Sequence, residues 1–255
     1  EPYGGGGSVL MRKPRTHGEV YNDLDEEVVN VFRVLQDPKK AADLARRVSL
    51  TPFSRAEFRA AYQHQNDDLS RAWAMIVRSF MGFGSAAMTR THVTGFRANS
   101  NRSGTIPASD WANWPNQIKL FVSRLRGVVI ENRDALQVMQ THDKPSTLHF
   151  VDPPYVPSTR TSLTNRNGNQ GHYYRHDMDE ADHLQLADKL HLLQGMVVLS
   201  GYRCELYDDL FHGWQRLDRK THADGARKRV ESIWLNSRSV RGMRQQSIFC
   251  DEAMA

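Results

Sequence analysis

The feature that most constrains this chain is Asp152-Pro153-Pro154-Tyr155, which directly follows the short apolar, β-prone run Leu148-His149-Phe150-Val151. Two consecutive prolines carry no amide N–H and have a fixed φ, so a strand cannot continue through them and the turn they form has little freedom. The chain is therefore expected to hold a buried strand that stops at Val151, and open α/β sheets present their chemistry at the carboxyl ends of such strands. Asp152 and the carbonyl of Pro153 can each accept a hydrogen bond from an exocyclic amino group. Tyr155 offers a ring on which a heterocycle can stack. The plainer alternative is a proline-rich turn capped by an acid, with no chemistry attached.

A second constellation opens the chain: Glu1-Pro2-Tyr3-Gly4-Gly5-Gly6-Gly7-Ser8. The four glycines let the backbone pass close to a ligand and enter a helix over residues 8–12. Residues 19–22 then read as a short strand ending at Asp23, about twenty residues past the glycines, where an acid can bind the ribose hydroxyls of a nucleoside. Asp23 also reads as the N-cap of the helix that follows, and the two roles are compatible. Glycine turns of this kind occur in NAD-binding proteins and in plain tight turns as well.

Taken together, these motifs are similar to those of a known family. Asp152-Pro153-Pro154-Tyr155 resembles the catalytic motif of the amino-methyltransferases, which methylate N6 of adenine or N4 of cytosine in DNA. The opening glycine run resembles the cofactor motif of the Dam-like, D12-class adenine-N6 methyltransferases, and the motif order along nearly the whole chain is that of the class. The resemblance implies an α/β fold, a Rossmann-like S-adenosylmethionine-dependent methyltransferase sheet with an inserted helical DNA-recognition subdomain. It implies S-adenosyl-L-methionine as cofactor, held by Pro2, Tyr3, Gly4, Gly5, Gly6, Asp23, Asp134 and Asp152. Catalysis falls to Asp152, Pro153, Pro154 and Tyr155, acting on an adenine flipped out of the duplex. No metal is called for. In this family a Gly-Gly-Lys segment and a central strand come before the glycine run. Their absence reads as a fragment or trimmed chain, which leaves its activity alone open.

On this reading residues 1–50 form the first part of the catalytic domain, 51–114 the helical target-recognition insertion, and 115–255 the rest of the catalytic domain. Within residues 25–36, Val28, Val29, Phe32 and Leu35 recur at helical spacing and face a core. Helices are expected over 38–48, 55–64 and 67–81, followed by a polar segment over 82–109. Residues 55–102 hold seven arginines and three acids, a basic excess suited to nucleic acid. By resemblance Arg90, Arg97, Asn99 and Arg102 contact phosphates and base edges; arginines on a solvated face are the rival reading.

Residues 115–126 are read as helix and 127–132 as strand, with Asp134 just beyond it as cofactor contact or helix cap. The polar loop 157–171, with Arg160 as a DNA contact, is expected to close over the base or the DNA backbone, and residues 172–174 bring aromatics near it. A helix over 179–193 carries His183 and His191 as surface or satisfied core residues. A buried strand at 196–200 ends in Gly201-Tyr202, and Ser200-Gly201-Tyr202 resembles a later motif of the class, near the target base. A short helix over 205–211 and two strands at 214–220 and 229–235 complete the sheet. From Gln215 to Arg244 there are nine Lys or Arg against three acids, again suited to phosphates. The tail after Ser237 lacks periodicity and is expected to be disordered.

Composition narrows the setting. A chain of 255 residues, 39% hydrophobic and 25% charged, with formal net charge +5, suits a globular protein with a polyanionic partner. No apolar run approaches the ~18 residues of a membrane span. Cys204 and Cys250 share no metal or redox spacing, which points to a reducing, cytoplasmic setting; the resemblance implies that of a prokaryotic or phage-infected cell. The expected partner is double-stranded DNA, with no membrane and with the chain acting as a monomer; a cognate restriction endonuclease is an open possibility. The competing functions are cytosine-N4 or RNA-adenine methylation, an NAD-dependent oxidoreductase, and a truncated, inactive DNA-binding remnant. The oxidoreductase leaves Asp152-Pro153-Pro154-Tyr155 unexplained.

Overall fold

The computed structural model describes residues 1–83, 93–98, 106–159, 176–222 and 228–243. It is a mixed α/β structure that divides into two compact units. The N-terminal unit holds the described residues from Gly5 to Asn132 together with His176. The C-terminal unit holds residues 1–4 and the described residues from Arg133 onward other than His176.

In the N-terminal unit the glycine turn leads into α1 (Ser8–Arg12), followed by β1 (Glu19–Asn22), α2 (Glu26–Gln36), α3 (Pro38–Ser49), α4 (Arg55–Ala60), α5 (Asp68–Met81), α6 (Pro107–Asn113), α7 (Ile118–Leu125) and β2 (Val128–Glu131). Helix starts follow local chemistry. Asp25, Asp37, Ser54 and Asp67 each accept a backbone N–H in the first turn of α2, α3, α4 and α5, satisfying donors a helix leaves open. The stripe expected on α2 is buried, with Val28, Val29, Phe32 and Leu35 at most 6% exposed. Strands β1 and β2 pair in parallel from Glu19↔Val128 to Asn22↔Glu131. Tyr21 of β1 stacks on Phe32 of α2, ring centroids 4.1 Å apart.

The C-terminal unit contains α8 (Ala135–His142), β3 (Leu148–Val151), α9 (Glu180–Leu192), β4 (Met196–Tyr202), α10 (Glu205–Leu210), β5 (Gln215–His222) and β6 (Lys228–Leu235). Its sheet has the order β3-β4-β6-β5. β3 and β4 are parallel, while β6 runs antiparallel to both β4 and β5. Val151, Val197, Leu199, Trp234, Leu186 and Leu190 form one side of the sheet and the helix face packed on it. Asp179 and Asp182 close a reciprocal capping box at the start of α9.

The structure corrects several sequence expectations. The segment expected to be polar through residue 109 already turns helical at Pro107, because Trp111 is drawn into the core and donates its indole N–H to the Thr51 carbonyl at 2.7 Å. The tail is ordered further than expected, with residues 237–243 helical. The Asn236 carboxamide oxygen accepts the Ser239 and Val197 amides at 2.9 and 3.1 Å, and its amino group donates to Gly195, so one side chain caps this helix and ties it to β4. Two arginines counted toward the basic excess are structural. Arg78 is 1% exposed and donates to the Ala61 carbonyl at 2.7 Å, and Arg71 pairs with Glu26 and Glu27.

Candidate active site

Two constellations carry the expected chemistry, one in each unit. In the N-terminal unit the glycine turn is shaped by positive φ at Gly5 (+49°) and Gly7 (+63°), a region that L side chains adopt only with strain. A side chain at Gly7 would also meet the Phe32 ring at 3.0 Å. At Gly5 and Gly6 an added Cβ meets nothing within 4 Å, so the backbone faces open space there. Tyr21 donates its hydroxyl to the Gly5 carbonyl at 2.5 Å, which holds the turn against the end of β1.

Asp23 stands at that strand end. One carboxylate oxygen accepts the Gly5 amide at 2.7 Å and the other the Asp25 amide at 2.8 Å. The cap of α2 is Asp25, not Asp23, so the capping alternative for Asp23 falls and its carboxylate braces the glycine turn instead. Burial raises the Asp23 pKa, opposed by the two amide bonds. Asn132, just past β2, donates its side-chain amide to the Asp23 carbonyl at 2.8 Å and fixes the two strand ends together. Beside the turn lies an apolar cavity of about 290 Å³, lined by Gly5, Gly6, Phe32, Met75, Phe80 and Trp114 among others. Open space over glycines, a carboxylate acceptor and an apolar hollow together fit a nucleoside-bearing cofactor such as S-adenosylmethionine.

The C-terminal unit holds the second constellation. β3 ends at the fully buried Val151, and Val156, 5% exposed, anchors the far side of the turn. Pro153 is buried between them, whereas Asp152 keeps its solvent contact. Asp152 accepts hydrogen bonds from the side chains of Ser200 and Tyr155. The protein surrounding its carboxylate nevertheless raises its pKa, desolvation outweighing those two bonds, and Glu231 adds a smaller push the same way. Tyr155 is raised as well, first by burial and then by the Asp152 charge, so its phenol stays protonated. Its ring meets Tyr202 nearly edge-on, centroids 4.6 Å apart at 73°.

The other expected site residues fall variously. Pro2 is buried, and Gly4 is partly exposed. Tyr3 packs against the core of the C-terminal unit, its phenol raised by burial, then by Asp134 and Asp182. Asp134 is the N-cap of α8, accepting the Gln137 amide at 2.9 Å. Arg97 is half-buried and donates its backbone amide to Met81 at 2.7 Å. Arg90, Asn99, Arg102 and Arg160 lie outside the described residues, as do the aromatics at 173 and 174.

The histidines of α9 and the lone described cysteine carry no chemistry here. His183 is fully buried and bonded to the Tyr207 hydroxyl at 2.9 Å, a core pair, and His191 meets the Leu210 carbonyl. Burial raises the Cys204 thiol, which keeps it protonated. Sequence reasoning put Ser200-Gly201-Tyr202 near the target base by resemblance alone, without pairing Ser200 or Tyr202 with Asp152 or Tyr155, and did not single out Glu231. The signal was available only as strand register, since Ser200 and Tyr202 sit at alternate positions on β4 and Tyr202 pairs with Glu231 of β6.

A family model described as D12 class N6 adenine-specific DNA methyltransferase matches residues 1–224 of the chain. No curated protein matches it significantly.

Proposed function

Since the chain belongs to the D12 class of N6 adenine-specific DNA methyltransferases, we propose that it transfers a methyl group from S-adenosylmethionine to N6 of an adenine flipped out of duplex DNA. The observation that carries this reading is the end of β3. There an aspartate on an exposed position, a rigid proline turn and a tyrosine ring stand side by side, with buried Val151 and Val156 fixing the turn from both ends.

On this reading the Asp152 carboxylate and the Pro153 carbonyl accept the two N–H bonds of the adenine amino group, and Tyr155 stacks on the base. Two acceptors placed so pull N6 toward tetrahedral geometry and direct its lone pair. They also stabilise the positive charge that grows on nitrogen as it is alkylated, which is preorganised electrostatics. S-adenosylmethionine supplies the activated methyl group when bound. The residues proposed to hold it are the glycine turn, with Gly5 and Gly6 giving backbone access, and Asp23, whose oxygens retain lone pairs for ribose hydroxyls beside the bonds they accept from Gly5 and Asp25. Pro2, Tyr3 and Asp134 are kept as further cofactor contacts.

The finer architecture belongs to the same proposal: a Rossmann-like catalytic sheet interrupted by a helical target-recognition insertion at residues 51–114. Arg97, with Arg90, Asn99, Arg102 and Arg160 beyond the described residues, is proposed to meet DNA phosphates and base edges. Action as a cytoplasmic monomer follows from the same reading. Among the described residues no helix is long and apolar enough to cross a membrane.

Nucleoside mass spectrometry tests the reading. Unmethylated duplex DNA is incubated with the chain and S-adenosylmethionine, then digested. N6-methyldeoxyadenosine is the expected product, abolished by Asp152→Ala while DNA binding persists. Methylation by the Asp152→Ala variant at the wild-type rate would remove Asp152 from the chemistry.

A further inference from the structure

The parallel register of β3 and β4 runs from Leu148↔Met196 to Val151↔Leu199. One step further along both chains brings Asp152 opposite Ser200. Val151 and Leu199 both point into the core at 0% exposure, so the next residue on each strand points to the other side of the sheet. Ser200 and Asp152 therefore share a face, and Tyr202, two residues on, shares it too. Tyr202 is the residue whose ring meets Tyr155 at 4.6 Å. Ser200 lies beside both groups, and its side chain favours the ionised form of Asp152 and of Tyr155.

From this juxtaposition we propose that Ser200 is a positioning residue for methyl transfer, its hydroxyl fixing the Asp152 carboxylate and the Tyr155 side chain in one arrangement. The proposal rests on the reading of Asp152 as the acceptor of the adenine amino group. A carboxylate on a strand end is free to rotate about its Cβ–Cγ bond unless something holds it. Ser200 donates its one proton to a carboxylate oxygen, which orients the remaining lone pairs without consuming those needed by a substrate amine. A site of this kind loses rate when a supporting hydrogen bond is removed, even though no reacting atom is touched. Tyr202 completes the arrangement by closing off one approach to the Tyr155 ring.

The groups that act on Asp152 are Tyr155 from its own turn, Ser200 from β4 and Glu231 from β6, with the Tyr207 phenol of α10 buried in the core on the other side of the sheet. Of these, Ser200 and Tyr155 favour the ionised carboxylate, and Glu231 opposes it. Removing Ser200 thus has a signed consequence. The Asp152 pKa rises, and if ionised Asp152 is the working form, the acid limb of the turnover profile moves to higher pH.

The test measures kcat and KM for duplex DNA from pH 5 to 9 with Ser200→Ala, Ser200→Thr and the wild type, beside Asp152→Ala. Ser200→Ala is expected to lose about tenfold in kcat, to keep the DNA KM within about twofold, and to shift the acid limb upward. Ser200→Thr, which retains the hydroxyl, is expected to recover most of the rate at the wild-type limb. If Ser200→Ala fails to fold by its thermal transition, the near-isosteric Ser200→Cys takes its place with the same expectation. An unchanged kcat in the variant lacking the hydroxyl overturns the proposal, and so does a loss with no movement of the acid limb. A wild type that forms no N6-methyladenine, or an Asp152→Ala variant as fast as wild type, would instead sink the underlying reading.

Discussion

The Asp23 carboxylate accepts the backbone amide of Gly5 at 2.7 Å, bridging the end of β1 and a turn eighteen residues earlier. That bond shows why an acid is useful at this strand end before any ligand arrives. Gly5 adopts φ +49°, and without this bond its amide would have no fixed direction. With the Tyr21 hydroxyl held by the Gly5 carbonyl, both polar groups of that peptide plane pair are anchored to β1 or the residue after it.

Asp23 therefore has two duties, and its variants separate them. Asp23→Ala removes both the turn brace and the proposed ribose acceptor. S-adenosylmethionine affinity is expected to fall at least about tenfold, with about 1–2 kcal/mol lost from stability because two amides lose their acceptor. Asp23→Asn keeps one acceptor oxygen and should recover stability more than affinity. Isothermal titration with the cofactor and urea unfolding read the two effects, and DNA affinity is expected to stay within about twofold of wild type. Unchanged cofactor affinity in both variants would leave Asp23 a brace only.

Neighbouring glycines differ in the same instructive way. Gly7→Ala places a methyl 3.0 Å from the Phe32 ring at φ +63°, and is expected to cost about 1–3 kcal/mol in thermal or urea unfolding. Gly6→Ala meets no protein atom within 4 Å, so stability should hold. If the open space over Gly6 belongs to the cofactor, that variant should nonetheless bind S-adenosylmethionine more weakly. Equal behaviour of the two variants in both assays would contradict this division of labour.

Much of this was legible in the sequence where periodicity and punctuation agree. β1 falls at residues 19–22 as expected, because a short β-branched and aromatic run is bounded by a glycine and an acid. The strand before Asp152 is likewise cut off by its prolines. α6 was hidden because only two of its residues, Pro107 and Trp111, are buried; two positions one turn apart make no stripe. Helix 237–243 was hidden because its anchor, Asn236, bonds to Gly195 and Val197, about forty positions earlier. Asp25 displaced Asp23 as the cap of α2 through a two-residue difference that composition does not encode. The Asp152 to Ser200 pairing was invisible for a related reason: residues brought together by register carry no mark of it in the chain. Counting arginines, finally, cannot tell a solvated guanidinium from one packed inside.

Arg78 tests that last distinction. It lies on α5 between Met75 and Met81 at three-residue spacing, all three of them buried, and donates to the buried Ala61 carbonyl. Arg78→Met fills most of the same volume but leaves that carbonyl without this donor. A loss of about 2–3 kcal/mol is expected in urea unfolding. Because Arg78 is not presented to solvent, the slope of DNA affinity against salt should not change in the folded variant, whereas removing a phosphate-contacting arginine lowers that slope by about one. A reduced slope with undiminished stability would move Arg78 to the DNA-facing set.

Glu19 sets a pH dependence with a definite sign. It is 6% exposed at the start of β1, and Arg124 donates to its two oxygens at 2.6 and 2.8 Å while Lys13 also pairs with it. Burial by itself would raise its pKa, but the bonds from Arg124 and Lys13 outweigh that and hold it at about 2, below the ordinary 4.5. A folded pKa below the unfolded one means that protons bind more readily to the unfolded chain. The stabilisation is then fully present above pH 4.5 and is lost as pH falls from 4.5 toward 2. Glu19→Gln removes the charge at every pH and leaves Arg124, itself largely buried, without its counter-ion. The variant should be less stable than wild type by about 2 kcal/mol at pH 7, with the gap narrowing as the pH is lowered through 4.5. Urea unfolding of both proteins between pH 7 and 3 measures it, and a gap that stays constant across that range would show that folding does not lower the Glu19 pKa.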